Sequence, residues 1–183
     1  MRILGLDLSL VSTGYVLLDD QVLEDVVWHG SVGSKTLHDV ERLEMFDHWI
    51  REALHYQARP FGNATVDHVA IEGYSFGSPF GATALGELGG VIKLAIHQVG
   101  IPLHVIPPST WKKQLCGKGN IHKDLIRIEL FKRFGVEFAS QDTLDAWAVA
   151  ISFRRKLLGL DQPQPKVRKR RSGALPLLEV AHG

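Results

Sequence analysis

At 183 residues with 45% hydrophobic side chains, the chain is long enough for one ordinary domain with a real core, which excludes wholesale disorder. Its single cysteine, Cys116, excludes an internal disulfide and a multi-cysteine zinc site; the absence of an uncharged apolar run of bilayer length, and an acid as early as Asp7, lead us to expect a cytoplasmic protein without a signal peptide. The formal net charge of +1 hides a split, because residues 1–111 hold 6 basic and 13 acidic side chains whereas residues 112–171 hold 15 and 6. Such asymmetry suits a polyanion-binding surface, although basic helix faces alone also produce it.

Arg2–Asp7 alternates as a short apolar strand and Gly14–Leu18 as a second, with Ser9–Thr13 as the tight turn of a hairpin. Val22–Val32 reads as a third strand. A helix is predicted from about Asp39 to Ala58, where Leu43, Phe46, Ile50 and Leu54 keep helical spacing. After the loop Pro60–Thr65, Val66–Ile71 is a buried strand that ends at Glu72 and a Gly-Tyr-Ser-Phe-Gly-Ser-Pro loop. Residues 81–99 form a helix with small residues every four positions, Ala82, Gly86 and Gly90, closed by Gly100. This stripe either packs on the protein's own sheet or lets another helix approach closely.

Ile101–Ile106 is the fifth strand, and Ser109 or Thr110 is expected to cap a short helix broken at Gly117-Lys118-Gly119. Ile121–Phe134 is an amphipathic helix stopped by Gly135, and residues 141–157 form the last helix. From Asp161 the chain turns to Gln-Pro-Gln-Pro and then Lys166-Val167-Arg168-Lys169-Arg170-Arg171, which predicts a domain over 1–160 and a flexible basic tail over 161–183. The fold class is α/β, a mixed five-stranded sheet with helices on both faces.

Four acids stand out. Asp7 ends an otherwise apolar strand and Glu72 ends another, where an uncompensated carboxylate is costly to desolvate. Asp142 and Asp145 are three apart, so they share a helical face with Ala146, Val149 and Phe153. Taken singly, each is explained as a strand-end or helix-start acid. Taken together, strand ends and a helix start can deliver four carboxylates to one crevice. Like charges gathered there need cations, and oxygen-only ligands select Mg²⁺ or Mn²⁺ over zinc. Two ions roughly 4 Å apart suit in-line phosphoryl displacement.

Several motifs then resemble, in order, the RuvC-type Holliday junction resolvases. They are Gly5-Leu6-Asp7-Leu8-Ser9 with Ser12-Thr13-Gly14-Tyr15, Ile71-Glu72-Gly73, Leu85-Gly86-Glu87-Leu88-Gly89-Gly90-Val91, the basic stretch Pro107–Lys123, and Asp142-Thr143-Leu144-Asp145-Ala146. The resemblance spans residues 1–155 and implies a ribonuclease-H-like nuclease domain. It further implies a homodimer that cuts four-way DNA junctions by paired nicks, leaving 5′-phosphate and 3′-hydroxyl ends. It assigns Asp7, Glu72, Asp142 and Asp145 as catalytic metal ligands for two Mg²⁺ ions, with Mn²⁺ as a substitute. It also assigns Ser9, Tyr74, Phe76, Lys112, Lys118 and Lys123 as DNA-binding residues.

The chain departs from the pattern of the cellular enzymes at Asp7-Leu8-Ser9, where they carry Asp-Pro-Gly, and so looks more like the phage-encoded branch. Their aromatic wedge position is Ser75 here, flanked by Tyr74 and Phe76. Trp28, Trp49, Trp111 and Trp147 read as packing residues, and no histidines show metal-ligand spacing. Sugar-kinase-like ATPases share the hairpin motif but need a second domain. A flap or fork nuclease and a non-catalytic junction-binding protein are the remaining alternatives.

Overall fold

The computed structural model describes residues 1–20, 26–55, 66–73 and 82–160. Three strands come first, β1 (Arg2–Asp7), β2 (Thr13–Asp19) and β3 (Val26–Val32), followed by α1 (Asp39–His55), β4 (His68–Glu72), α2 (Ala82–Val99) and β5 (Leu103–Ile106). Three helices close the chain, α3 (Pro108–Cys116), α4 (Lys123–Phe134) and α5 (Gln141–Leu157). The predicted element order is reproduced. The predicted extensions into residues 22–25 and 56–58 fall outside the described residues, as do the loop after Gly73 and the tail from 161.

The sheet runs β3-β2-β1-β4-β5. β1–β2 and β2–β3 are antiparallel, and β1–β4 and β4–β5 are parallel, so the sheet is mixed. The period-two alternation of β1 explains the layering. Leu4, Leu6 and Leu8 face α1 and α2, burying Phe46, Ile50, Leu88, Ile92 and Ile96. Ile3 and its same-face neighbours meet α3, α4 and α5, with Trp111, Leu115, Leu130 and Val149 in that core. The basic stretch from Lys112 to Arg133 therefore lies in a single layer on one face of the sheet.

Two glycines set how closely α5 lies on that face. A Cβ on Gly5 would come 2.3 Å from the Ala146 carbonyl oxygen, and one on Gly14 would come 2.1 Å from the Asp142 carbonyl oxygen. Gly14 is also the cross-strand partner of Asp7. The first turn of α5 thus rests on the hairpin at the level of that carboxylate.

One local expectation fails. Neither Ser109 nor Thr110 caps α3, since both lie inside a helix that begins at Pro108 with Pro107 as its N-cap and no side-chain cap bond. Proline supplies the helical φ at the first position and lacks the N–H that a cap would satisfy, so the helix starts earlier than the hydroxyls suggest. The α2 stripe is resolved as well. Ala82, Gly86 and Gly90 are exposed, with open space at both glycines among the described residues, while Leu88, Gly89, Ile92, Ala95 and Ile96 turn inward. The stripe does not pack on the protein's own sheet.

Candidate active site

Asp7 and Glu72 are the last residues of adjacent parallel strands, in a register that pairs Leu6 with Ile71. Each continues the alternation set by Gly5 and Ala70, so both carboxylates leave the sheet on the α5 side. Asp7 shares a side-chain hydrogen bond with Glu72. The first two turns of α5 bring the other two acids. Ser140 caps that helix by accepting from the Thr143 N–H at 3.1 Å, and Thr143 Oγ1 donates to the Gly30 carbonyl at 3.1 Å. Those bonds fix the rotation that turns Asp142 and Asp145 toward the strand ends.

Each outer acid has its own tether. Ser12 Oγ donates to Asp142 Oδ2 at 2.7 Å, Gln141 Nε2 to Asp145 Oδ1 at 2.7 Å, and Trp111 Nε1 to Glu72 Oε1 at 3.0 Å. Trp111 is fully buried, so its indole holds the glutamate from beneath. Sequence reasoning missed these three partners. For Trp111 the available signal was weak: a buried indole N–H needs an acceptor, and the nearest acid motif is distant in sequence.

The electrostatics show that the acids sense one another. Burial, then Glu72, then Asp145 and Asp142 push the Asp7 carboxyl up to about 9. Burial raises Asp145 to about 6; Gln141 opposes the rise, Glu72 adds to it, and Lys123 and Lys112 oppose it. At Asp7 burial and the three neighbouring carboxylates all favour the protonated form. Among the described residues no three carboxylate, imidazole or thiolate groups form a ready-made ion cage. Even so, the donor set fits a hard divalent cation, since every candidate ligand is a carboxylate oxygen and the group is short of cationic charge.

The DNA-binding expectations divide. Lys112 and Lys123 lie close enough to act on Asp145, and Lys112 Nζ is 5.4 Å from the centre of the Trp111 ring. Lys118 is exposed in the turn after α3, and no described contact links it to the acids. Ser9 serves the hairpin, since its Oγ accepts from the Val11 and Ser12 N–H groups at 3.4 Å and its carbonyl accepts from Thr13 Oγ1 at 2.6 Å. Tyr74 and Phe76 lie outside the described residues.

A mixed five-stranded sheet with an acid ending each of two neighbouring parallel strands, and a helix delivering two more, defines a ribonuclease-H-like α/β domain. Comparison with known proteins narrows this class. The family model "Crossover junction endodeoxyribonuclease RuvC" matches residues 3–153. The protein of that name from Bartonella bacilliformis is 31% identical over 162 residues, covering 82% of this chain and 89% of the relative. Its namesake from Desulfitobacterium hafniense is 29% identical over 159 residues, covering 82% and 90%. The structure of Thermus thermophilus RuvC in complex with Holliday junction substrate superposes with a TM-score of 0.69 at 20% identity, covering 87% of this chain and 96% of that one, a likeness of fold. The chain belongs to the RuvC family of crossover junction endodeoxyribonucleases.

Proposed function

We propose that the protein resolves four-way DNA junctions as a divalent-metal-dependent endonuclease, making paired nicks that leave 5′-phosphate and 3′-hydroxyl ends. The observation that carries this reading is the convergence of Asp7, Glu72, Asp142 and Asp145 at one end of the sheet, with Lys112 and Lys123 beside them. The four carboxylates would hold Mg²⁺, two ions per site with Mn²⁺ as a substitute, which when bound supplies charge compensation to the attacking and leaving oxygens of phosphodiester hydrolysis.

The protein's own groups do the positioning. Trp111, Ser12 and Gln141 each fix one carboxylate by donating a hydrogen bond to one of its oxygens. Lys112 and Lys123 supply positive charge where a phosphate approaches, offsetting the repulsion between the acidic cluster and the DNA backbone. Tyr74 and Phe76 are the residues we assign to stacking on exposed bases, and Lys118 to a backbone phosphate. To the basic run Lys166–Arg171 we assign additional contacts to backbone phosphates, beside the nuclease domain over 1–160. From action on DNA we infer a cytoplasmic location. Among the described residues no helix is long and apolar enough to cross a membrane.

A four-way junction is close to two-fold symmetric and one chain carries one set of acids, so a homodimer presents two sites. The outward stripe of α2, Ala82, Gly86, Gly90 and the half-exposed Leu94, is the surface we assign to it. The deciding experiment offers purified protein four-way, flap, fork and linear duplex DNA with Mg²⁺. Preferential, symmetric cutting of the four-way substrate is expected. Equal or better cutting of flaps or forks would replace this reading with a different branched-DNA nuclease, and binding without cutting would leave only a junction-binding protein.

A further inference from the structure

Helix α4 is apolar on both sides. Its inner side buries Ile126 and Leu130 to within 1% of full burial, while its outer side presents Leu125 at 50%, Ile128 at 47% and Phe131 at 54% exposure. At about 100° per residue, Ile128 lies roughly 180° from the buried pair, with Leu125 and Phe131 about 60° to either side. Three large apolar side chains share the open face of this 12-residue helix with exposed Asp124 and Lys132, more apolar surface than an ordinary surface helix presents. Exposed Lys132 borders this patch.

The chain carries a segment of matching chemistry. Beyond the basic run, its last twelve residues hold no lysine or arginine and a single acid, and they include Leu175-Pro176-Leu177-Leu178-Glu179-Val180. That composition gives no affinity for phosphate, so the DNA-binding reading of the tail does not account for it. We propose that residues 175–180 dock on the outer face of α4 of the same chain, with Leu177, Leu178 and Val180 covering Leu125, Ile128 and Phe131 and Glu179 facing Lys132.

Reach is sufficient. The 14 residues 161–174 span up to ~46 Å when extended at about 3.3 Å each, more than the roughly 40 Å diameter expected of a 160-residue domain. A tether of that length gives an effective concentration of order mM, so contacts too weak to hold a free peptide suffice within the chain. The inference is independent of whether the site cuts four-way junctions.

The test is oxidative cross-linking in the full chain. Cys116 is buried and residues 161–183 contain no cysteine, so the background is clean. Ile128→Cys with Leu178→Cys should form a disulfide within one chain at least ~10-fold faster than Val40→Cys with Leu178→Cys. Val40 is 74% exposed on α1, across the sheet, and the residues between 160 and Leu178 extend to ~56 Å at about 3.3 Å each, more than the domain diameter. Adding Phe131→Glu should reduce the fast pair to the control rate with the melting temperature unchanged; Leu125→Glu is the substitute if that variant folds poorly. Equal rates for the two pairs would overturn the proposal, as would a disulfide formed only between two chains, which would make a second copy the occupant.

Discussion

Replacing Asp7 with asparagine should remove a penalty that grows with pH. Asp7 is raised from the ordinary 3.8 to about 9, chiefly by burial and then by Glu72. The folded chain therefore keeps a proton that the unfolded chain releases, and stability must fall as pH rises between those values. Asp145 is raised only to about 6, and the nine histidines are common to both proteins, so from pH 6 to 8 the difference between wild type and Asp7→Asn reports chiefly on Asp7. Two pH units on one group give at most about 3 kcal/mol. Because Asp7 shares its hydrogen with Glu72, a working range is ~1.5–3 kcal/mol, or roughly 3–12 °C in melting temperature for a domain of this size. The assay is thermal unfolding of both proteins in EDTA at pH 6, 7 and 8. The wild-type melting temperature should decline across the window, Asp7→Asn should stay nearly flat, and Mg²⁺ should flatten the wild-type curve. Parallel curves for the two proteins in EDTA would refute the claim that Asp7 sits among uncompensated acids.

Trp111→Phe keeps the buried ring but deletes the N–H that holds Glu72, a charge-assisted bond of about 1.5–3 kcal/mol, so kcat should fall roughly tenfold or more with junction affinity nearly unchanged. Single-turnover cleavage beside a gel shift separates the two, and lost stability with normal cleavage would make the indole merely structural. Gly14→Ala forces α5 away from the hairpin and should cost at least about 1–3 kcal/mol in denaturant unfolding, with a larger loss in cleavage than in binding; an unchanged midpoint would show that the helix seat is compliant. Gly86→Leu places a bulky side chain in open space on α2, so the monomer should remain folded. If α2 forms the dimer, light scattering should drop from about twice 20.3 kDa toward that mass, with a cruciform plasmid nicked rather than linearised.

The sheet and its acids were legible because strand alternation and helix spacing leave marks in the chain. Asp7 and Glu72 follow apolar runs, and Asp142 and Asp145 share a stripe with core residues. The supporting contacts left no such mark. Ser12 reaches Asp142 across 130 positions and Trp111 reaches Glu72 across 39, pairings that depend on register and layer rather than local pattern. Trp111 read as packing because burial and hydrogen bonding leave the same residue in the sequence. The two sides of α2 could not be ranked, since Ala82, Gly86, Gly90 and Leu94 are as uncharged as Leu88, Ile92 and Ile96. At α3 the hydroxyls of Ser109 and Thr110 suggested a cap where the φ restriction of Pro108 decided the start.

The seat of α5 on Gly5 and Gly14 has a consequence for how such a protein can drift. Carbonyl oxygens of Ala146 and Asp142 occupy the space where two side chains would otherwise begin, so backbone bears directly on backbone. Main chain has no rotamers to exchange. A side chain at either position would widen the gap between strand end and helix start. The spacing of strand end and helix start at the acids thus depends on these two positions staying without a Cβ. The calibration of the site is carried by two missing atoms.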